Sequence, residues 1–101
     1  MDIKQKIVRA LLDSHIPPHY SGFTLLLDSM LLLFENEELT ILMTKRLYPK
    51  LATRHGMTPV AVEQSIRTAV RKSGYTGTSG KFITSLYWSL RIDLGWDENN
   101  A

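Results

Sequence analysis

The stretch LYPKLATRHGMTPVAVEQSIRTAVRK, Leu47 to Lys72, reads as a helix, a tight turn and a second helix. Gly56 sits where the left-handed backbone that ends a helix is needed. Leu51 and Ala52 fall on the buried side of the first helix, where a small Ala lets a second helix pack close. Met57 plugs the turn. Thr58 is a good N-cap, and Pro59 occupies the first helical position, where its missing N–H is not required. Val62, Ile66, Ala69 and Val70 then form one apolar stripe at helical spacing. This is a helix-turn-helix signature, whose second helix normally enters the DNA major groove.

The face opposite the stripe carries Val60, Gln64, Arg67, Thr68 and Arg71. Gln can bond bidentately to adenine and Arg to guanine, while Thr or Val can touch a thymine methyl. The plain alternative is a solvated, basic helix face. Charge distribution favours the DNA reading. Lys45 to Lys81 holds eight basic residues against one acid, Glu63, for a net +7, although the whole chain is only +2. Residues 1–44 hold three basic and six acidic residues, and 82–101 hold Arg91 against three acids. The basic charge thus surrounds the proposed reading element, as a phosphate-binding surface requires.

Outward from this motif, 101 residues with 44% hydrophobic side chains are expected to make a single domain, 1–101, with a modest core. Zero cysteines exclude disulfides and thiolate zinc sites and suit a reducing cytoplasm. Charges interrupt the N-terminus throughout, so it has no signal-peptide pattern. The most apolar run, Phe23 to Phe34, is too short to span a bilayer and contains Asp28.

Ile3, Ile7, Val8, Leu11 and Leu12 predict an amphipathic helix over 3–14, stopping at His15 because Pro17 disfavours a helical residue before it. Ile16 to Gly22 reads as a rigid connector, with Ser21 a candidate cap. Phe23 to Phe34 is apolar on nearly every side, which predicts a central helix contacted by several neighbours. Glu35 to Glu38 is turn-like; Leu39, Ile41, Leu42 and Leu47 lead into the first motif helix. Pro49 either starts a fresh helical turn or kinks a longer one. Ser73 to Gly80 is rich in Gly, Ser and Thr and matches no phosphate-binding glycine motif; it reads as a flexible connection. Beside a reading helix, such a loop could also lie on the phosphate backbone. Phe82, Ile83, Leu86, Tyr87, Leu90 and Leu94 predict a last amphipathic helix, with Ser79 its cap. Trp88 falls off that stripe and reads as an exposed aromatic, either a subunit contact or a singly exposed ring that needs no explanation. Residues 97–101 are expected to fray. No segment alternates like a strand, so the fold class is all-α, with about five helices around the central apolar one.

No catalytic constellation emerges. His15, His19 and His55 lack partners at metal-ligand spacing, and no serine has a nucleophile-elbow context. No enzyme activity, cofactor, metal or small-molecule substrate is expected, and no membrane partner.

The run IPPHYSGF, the apolar helix after it, and TKRLYPKLATRHGMTPVAVEQSIRTAV together resemble the C-terminal effector domain of the sporulation master regulator of endospore-forming bacteria, a response-regulator transcription factor. The resemblance spans roughly residues 3–94. It rests on Pro17, His19, Gly22, Thr44-Lys45, Leu47-Tyr48-Pro49, Ala52, Val62-Glu63 and Ile66-Arg67. It implies an all-helical bacterial domain that binds double-stranded DNA at short operator boxes, often as tandem dimers, with Glu63 and Arg67 at the DNA. Three departures accompany it. The phosphoryl-accepting receiver domain that precedes the effector has no counterpart in these 101 residues. Two base-reading arginines of the family appear here as Ala61 and Gln64. The segment between recognition helix and last helix is shorter, Tyr75 to Gly80 replacing a short helix.

The expected function is therefore sequence-specific transcriptional regulation, with a recognition helix over about 59–73. Base edges would be read by Gln64, Arg67 and Thr68, joined by Ala61 and Glu63. Lys45, Lys50, Arg54, Thr58, Arg71 and Lys72 would face phosphates. The alternative is an interaction module that pairs with a full-length regulator or another protein. Ala61 and Gln64 motivate it, and Tyr87 and Trp88 would be its first interface candidates. The +7 segment argues against it.

Overall fold

The computed structural model describes residues 2–95. The expected fraying of 97–101 falls outside them. Five α-helices follow one another: α1 (Ile3–Asp13), α2 (Ser21–Glu35), α3 (Tyr48–His55), α4 (Pro59–Lys72) and α5 (Ser79–Asp93). A 3-10 turn (Glu37–Thr40) and a π-helical turn (Met43–Leu47) join α2 to α3. The described residues contain no strand, as expected.

Helix α1 begins with a reciprocal cap. Asp2 accepts from the Gln5 backbone N–H at 2.8 Å, and the Gln5 side chain accepts from the Asp2 N–H at 3.1 Å. The helix ends at Asp13, just short of the expected stop, with His15 in the left-handed region at φ 67°. That reversal swings Ile16 into the core, where its N–H donates to the Leu11 carbonyl at 3.1 Å.

Helix α2 is the hub that its composition predicts. Phe23, Leu25, Leu26, Met30, Leu32 and Leu33 are all buried, and α2 touches each of the other four helices. Its cap differs from expectation. Tyr20 takes the N-cap position, and Ser21 is the first helical residue. At α5 the cap is Thr78, whose hydroxyl accepts from the Lys81 N–H at 3.2 Å, rather than Ser79.

The π-helical turn resolves the alternatives at Pro49. Leu47 N–H reaches the Leu42 carbonyl five residues back, at 3.4 Å. Pro49 follows within the first turn of α3. A proline ring crowds the carbonyl four residues before it and supplies no N–H there. A widened turn ahead of Pro49 relieves that clash without ending the helical run. Along this connection the apolar residues are sorted: Leu39 and Leu47 are buried, whereas Ile41 is 81% exposed.

Gly22 sets the approach of α2 to α4. A Cβ there would lie 2.4 Å from the Ser65 carbonyl oxygen and 2.6 Å from the Ala69 Cβ. The first is backbone and cannot swing aside. We therefore expect Gly22→Ala to destabilise the domain by about 1–3 kcal/mol, the usual range for an overpacked core. Urea unfolding of the variant checks this, and an unchanged midpoint would refute the steric argument.

Candidate nucleic-acid interface

The local sequence between α3 and α4 folds as its residues dictate. Gly56 closes α3 with φ 64° and ψ 37°, and the Met57 N–H donates to the Ala52 carbonyl at 2.9 Å. Met57 is half-buried against the core. The Thr58 hydroxyl accepts from the Ala61 N–H at 3.1 Å, and Pro59 opens α4. Val62, Ile66, Ala69 and Val70 are buried to within 1% exposure, which fixes the rotation of α4 about its axis.

With that rotation set, Val60, Gln64, Arg67, Thr68, Arg71 and Lys72 are exposed. Ala61 and Glu63 are half-buried at the margins of this face. Arg67 is paired along the helix with Glu63, through its Nη2 and the Glu63 Oε1. The Thr68 hydroxyl donates to the Gln64 carbonyl at 2.9 Å. Its methyl, not its hydroxyl proton, is therefore the group left to offer. Depressions flank the ridge. One is lined by Tyr20, Ser21, Ala61, Gln64, Ser65 and Thr68 at the start of α2. The other lies between α4, the π-helical turn and residues 75–81.

The expected phosphate contacts divide. Lys45, Lys50, Thr58, Arg71 and Lys72 are exposed. Arg54 is engaged elsewhere. Its Nε donates to Asp28 Oδ2 at 2.9 Å and its Nη2 to Oδ1 at 3.0 Å, while His55 Nε2 lies 2.9 Å from the same Oδ2. The Asp28 side chain is 12% exposed, so the carboxylate depends on these partners. Arg54 thus ties the end of α3 to the hub through Nε and Nη2, while its side chain stays 53% exposed. Asp28 escaped the sequence reading as a functional residue. Its signal was available, because a lone acid inside an apolar helix must find a partner.

The interface expectation at α5 is corrected as well. Tyr87 is fully buried, its ring edge-on to Phe34 at 5.0 Å, and its hydroxyl donates to Glu37 Oε1 at 3.4 Å. It belongs to the chain's own core and is not free for a partner. Trp88 is half-buried against that core, not exposed.

Tyr48 lies close enough to the Glu63–Arg67 pair to feel both charges. Burial pushes its phenol above the ordinary 10.0, the Glu63 charge pushes it further, and Arg67 partly opposes both. Among the described residues, no group of His, Asp and Glu is placed to hold a metal ion, and no helix is long and apolar enough to cross a membrane.

The family model described as "Sporulation initiation factor Spo0A C terminal" matches residues 7–89. The chain belongs to this family. The family is a DNA-binding effector domain of a sporulation regulator, a regulatory domain and not an enzyme. The match covers the whole of α2 to α4 and most of α5.

Two measurements test the site's internal geometry. Asp28→Asn leaves Arg54 and His55 without their charged acceptor. Since Arg54 is half exposed, we expect a loss of about 1–3 kcal/mol on chemical unfolding, the scale of a charge-assisted hydrogen bond. An unchanged midpoint would count against the tie. The raised Tyr48 phenol keeps its proton in the folded chain where the unfolded chain loses it, so it contributes a loss of stability as pH rises through about 10. Tyr48→Phe should flatten the alkaline limb of a melting-temperature profile, and a limb of unaltered slope would contradict the assignment.

Proposed function

We propose that this chain is a sequence-specific DNA-binding transcriptional regulator whose helix α4 enters the major groove. The observation that carries the reading is the rotation of α4. Its buried stripe leaves Gln64, Arg67 and Thr68 together on the exposed side, within a segment of net +7. Gln64 suits adenine, Arg67 suits guanine and the Thr68 methyl suits thymine. Ala61 and Glu63 border that set; Glu63 can accept from a cytosine amino group. Lys45, Lys50, Arg71 and Lys72 supply phosphate contacts around it, and Thr58 lies at the helix start.

The family's two arginines are replaced here by Ala61 and Gln64, so a family operator is not carried over. A box of different sequence is expected. Pairing of two copies on adjacent boxes would follow the family's habit. The interaction-module alternative loses support, because Tyr87, one of its two interface candidates, is buried.

The test is fluorescence anisotropy on a pool of random duplexes, with salt varied and bound sequences recovered. We expect an enriched box and a log K that falls steeply with log salt. Arg67→Ala should then cost about 1–3 kcal/mol and relax preference at one position of the box. Salt-sensitive binding without enrichment would overturn base reading, and no binding at low salt would overturn the DNA assignment altogether.

A further inference from the structure

We infer that the trough between α4 and residues 75–81 is a seat for the sugar-phosphate backbone of one DNA strand, with Lys81 as a contact on its outer wall. This rests on the DNA-binding reading and extends it to a surface outside the helix-turn-helix. The trough encloses about 860 Å³. Arg67 and Arg71 line its α4 side, Lys81 its far side, and Thr44 and Tyr48 are among the remaining lining residues. Glu63 also lines it, but its carboxylate is engaged by Arg67. With Arg67 turned to a base, Arg71 and Lys81 still outnumber Glu63 on the trough wall, so it stays positive.

Its place beside α4 suits a strand flanking an inserted helix. A helix in the major groove has a phosphate backbone on either flank, and contacts there fix its register. The outer wall is built to hold position. The Tyr75 ring packs edge-on to Phe82 at 5.3 Å between centroids. A Cβ on Gly77 would lie 2.7 Å from the Tyr75 ring, so the chain lies tight against that ring. At its other end Gly80 faces the Met43 sulfur of the π-helical turn, 3.7 Å from where a Cβ would stand. A segment read from composition as a flexible connection is therefore anchored at Tyr75. Lys81 itself is exposed, and its backbone N–H is held by the Thr78 cap, so the ammonium projects from a fixed base.

The experiment uses the full chain and one fixed duplex at low salt. Lys81→Gln should lower the slope of log K against log salt by about one and weaken binding to all sequences alike. Lys81→Glu should lower it further. Neutral methylphosphonates, placed one linkage at a time, then locate the contact. The linkage whose neutralisation weakens wild type but not Lys81→Gln should coincide with, or adjoin, the one silenced in Arg71→Gln. An unchanged slope and linkage pattern in both Lys81 variants would overturn the proposal while leaving α4 as the reader. Absence of salt-dependent binding by the wild type would overturn the DNA reading and this proposal together.

Discussion

Everything on the candidate interface depends on the contact of α2 with α4 at Gly22. Two helices touch there nearly backbone to backbone, with room for no Cβ. The stripe Val62, Ile66, Ala69 and Val70 fits into the remaining contact. Because protein interiors are close-packed, this fit allows little rotation or sliding of α4. The exposed face is a consequence: Gln64, Arg67 and Thr68 point outward because their neighbours on the helix have nowhere else to go. The Asp28 tie from the hub to Arg54 and His55 fixes the preceding helix in the same frame. One central helix thus positions both halves of the motif.

Much of this was legible in the residues. Gly56, Thr58 and Pro59 each have a local backbone role, and each performs it. The hub could be foreseen because an all-round apolar helix of 15 residues has to be surrounded. The caps of α2 and α5 moved by one residue, since neighbouring Tyr20 and Ser21, or Thr78 and Ser79, are separated only by backbone angles. The π-helical turn had no signal beyond Pro49, because it answers a steric conflict that periodicity does not encode.

The larger differences are tertiary. Arg54 looks like a free cation on a basic helix end, but its acceptor lies 26 residues earlier in the chain. Local spacing cannot report that pair; the oddity of Asp28 among leucines could have. Tyr87 stood both on the apolar stripe of α5 and among the interface candidates. The stripe decided, because an aromatic on that stripe contributes its large area to the core unless a partner is already there. Composition also hid the shape of residues 75–80. Gly, Ser and Thr suggest looseness, but one aromatic, Tyr75, anchors the segment against Phe82.

Glu63 poses the sharpest question of balance, as the one acid in a +7 segment, placed against the arginine that the DNA reading needs most. Magnitudes answer it. An exposed pair four residues apart on a helix contributes roughly 0.3–0.5 kcal/mol. A bidentate arginine–guanine contact contributes about 1–3 kcal/mol of discrimination. On the proposed DNA reading, the base would therefore outcompete the carboxylate at a correct site. At a wrong base, or with no DNA, the pair persists. Glu63 then holds the Arg67 side chain along α4, which on the DNA reading would reduce the conformational entropy lost on binding. Within the DNA reading, a single acid among eight cations sharpens selectivity more than it weakens affinity, and that is a physical reason for a reading helix to carry one.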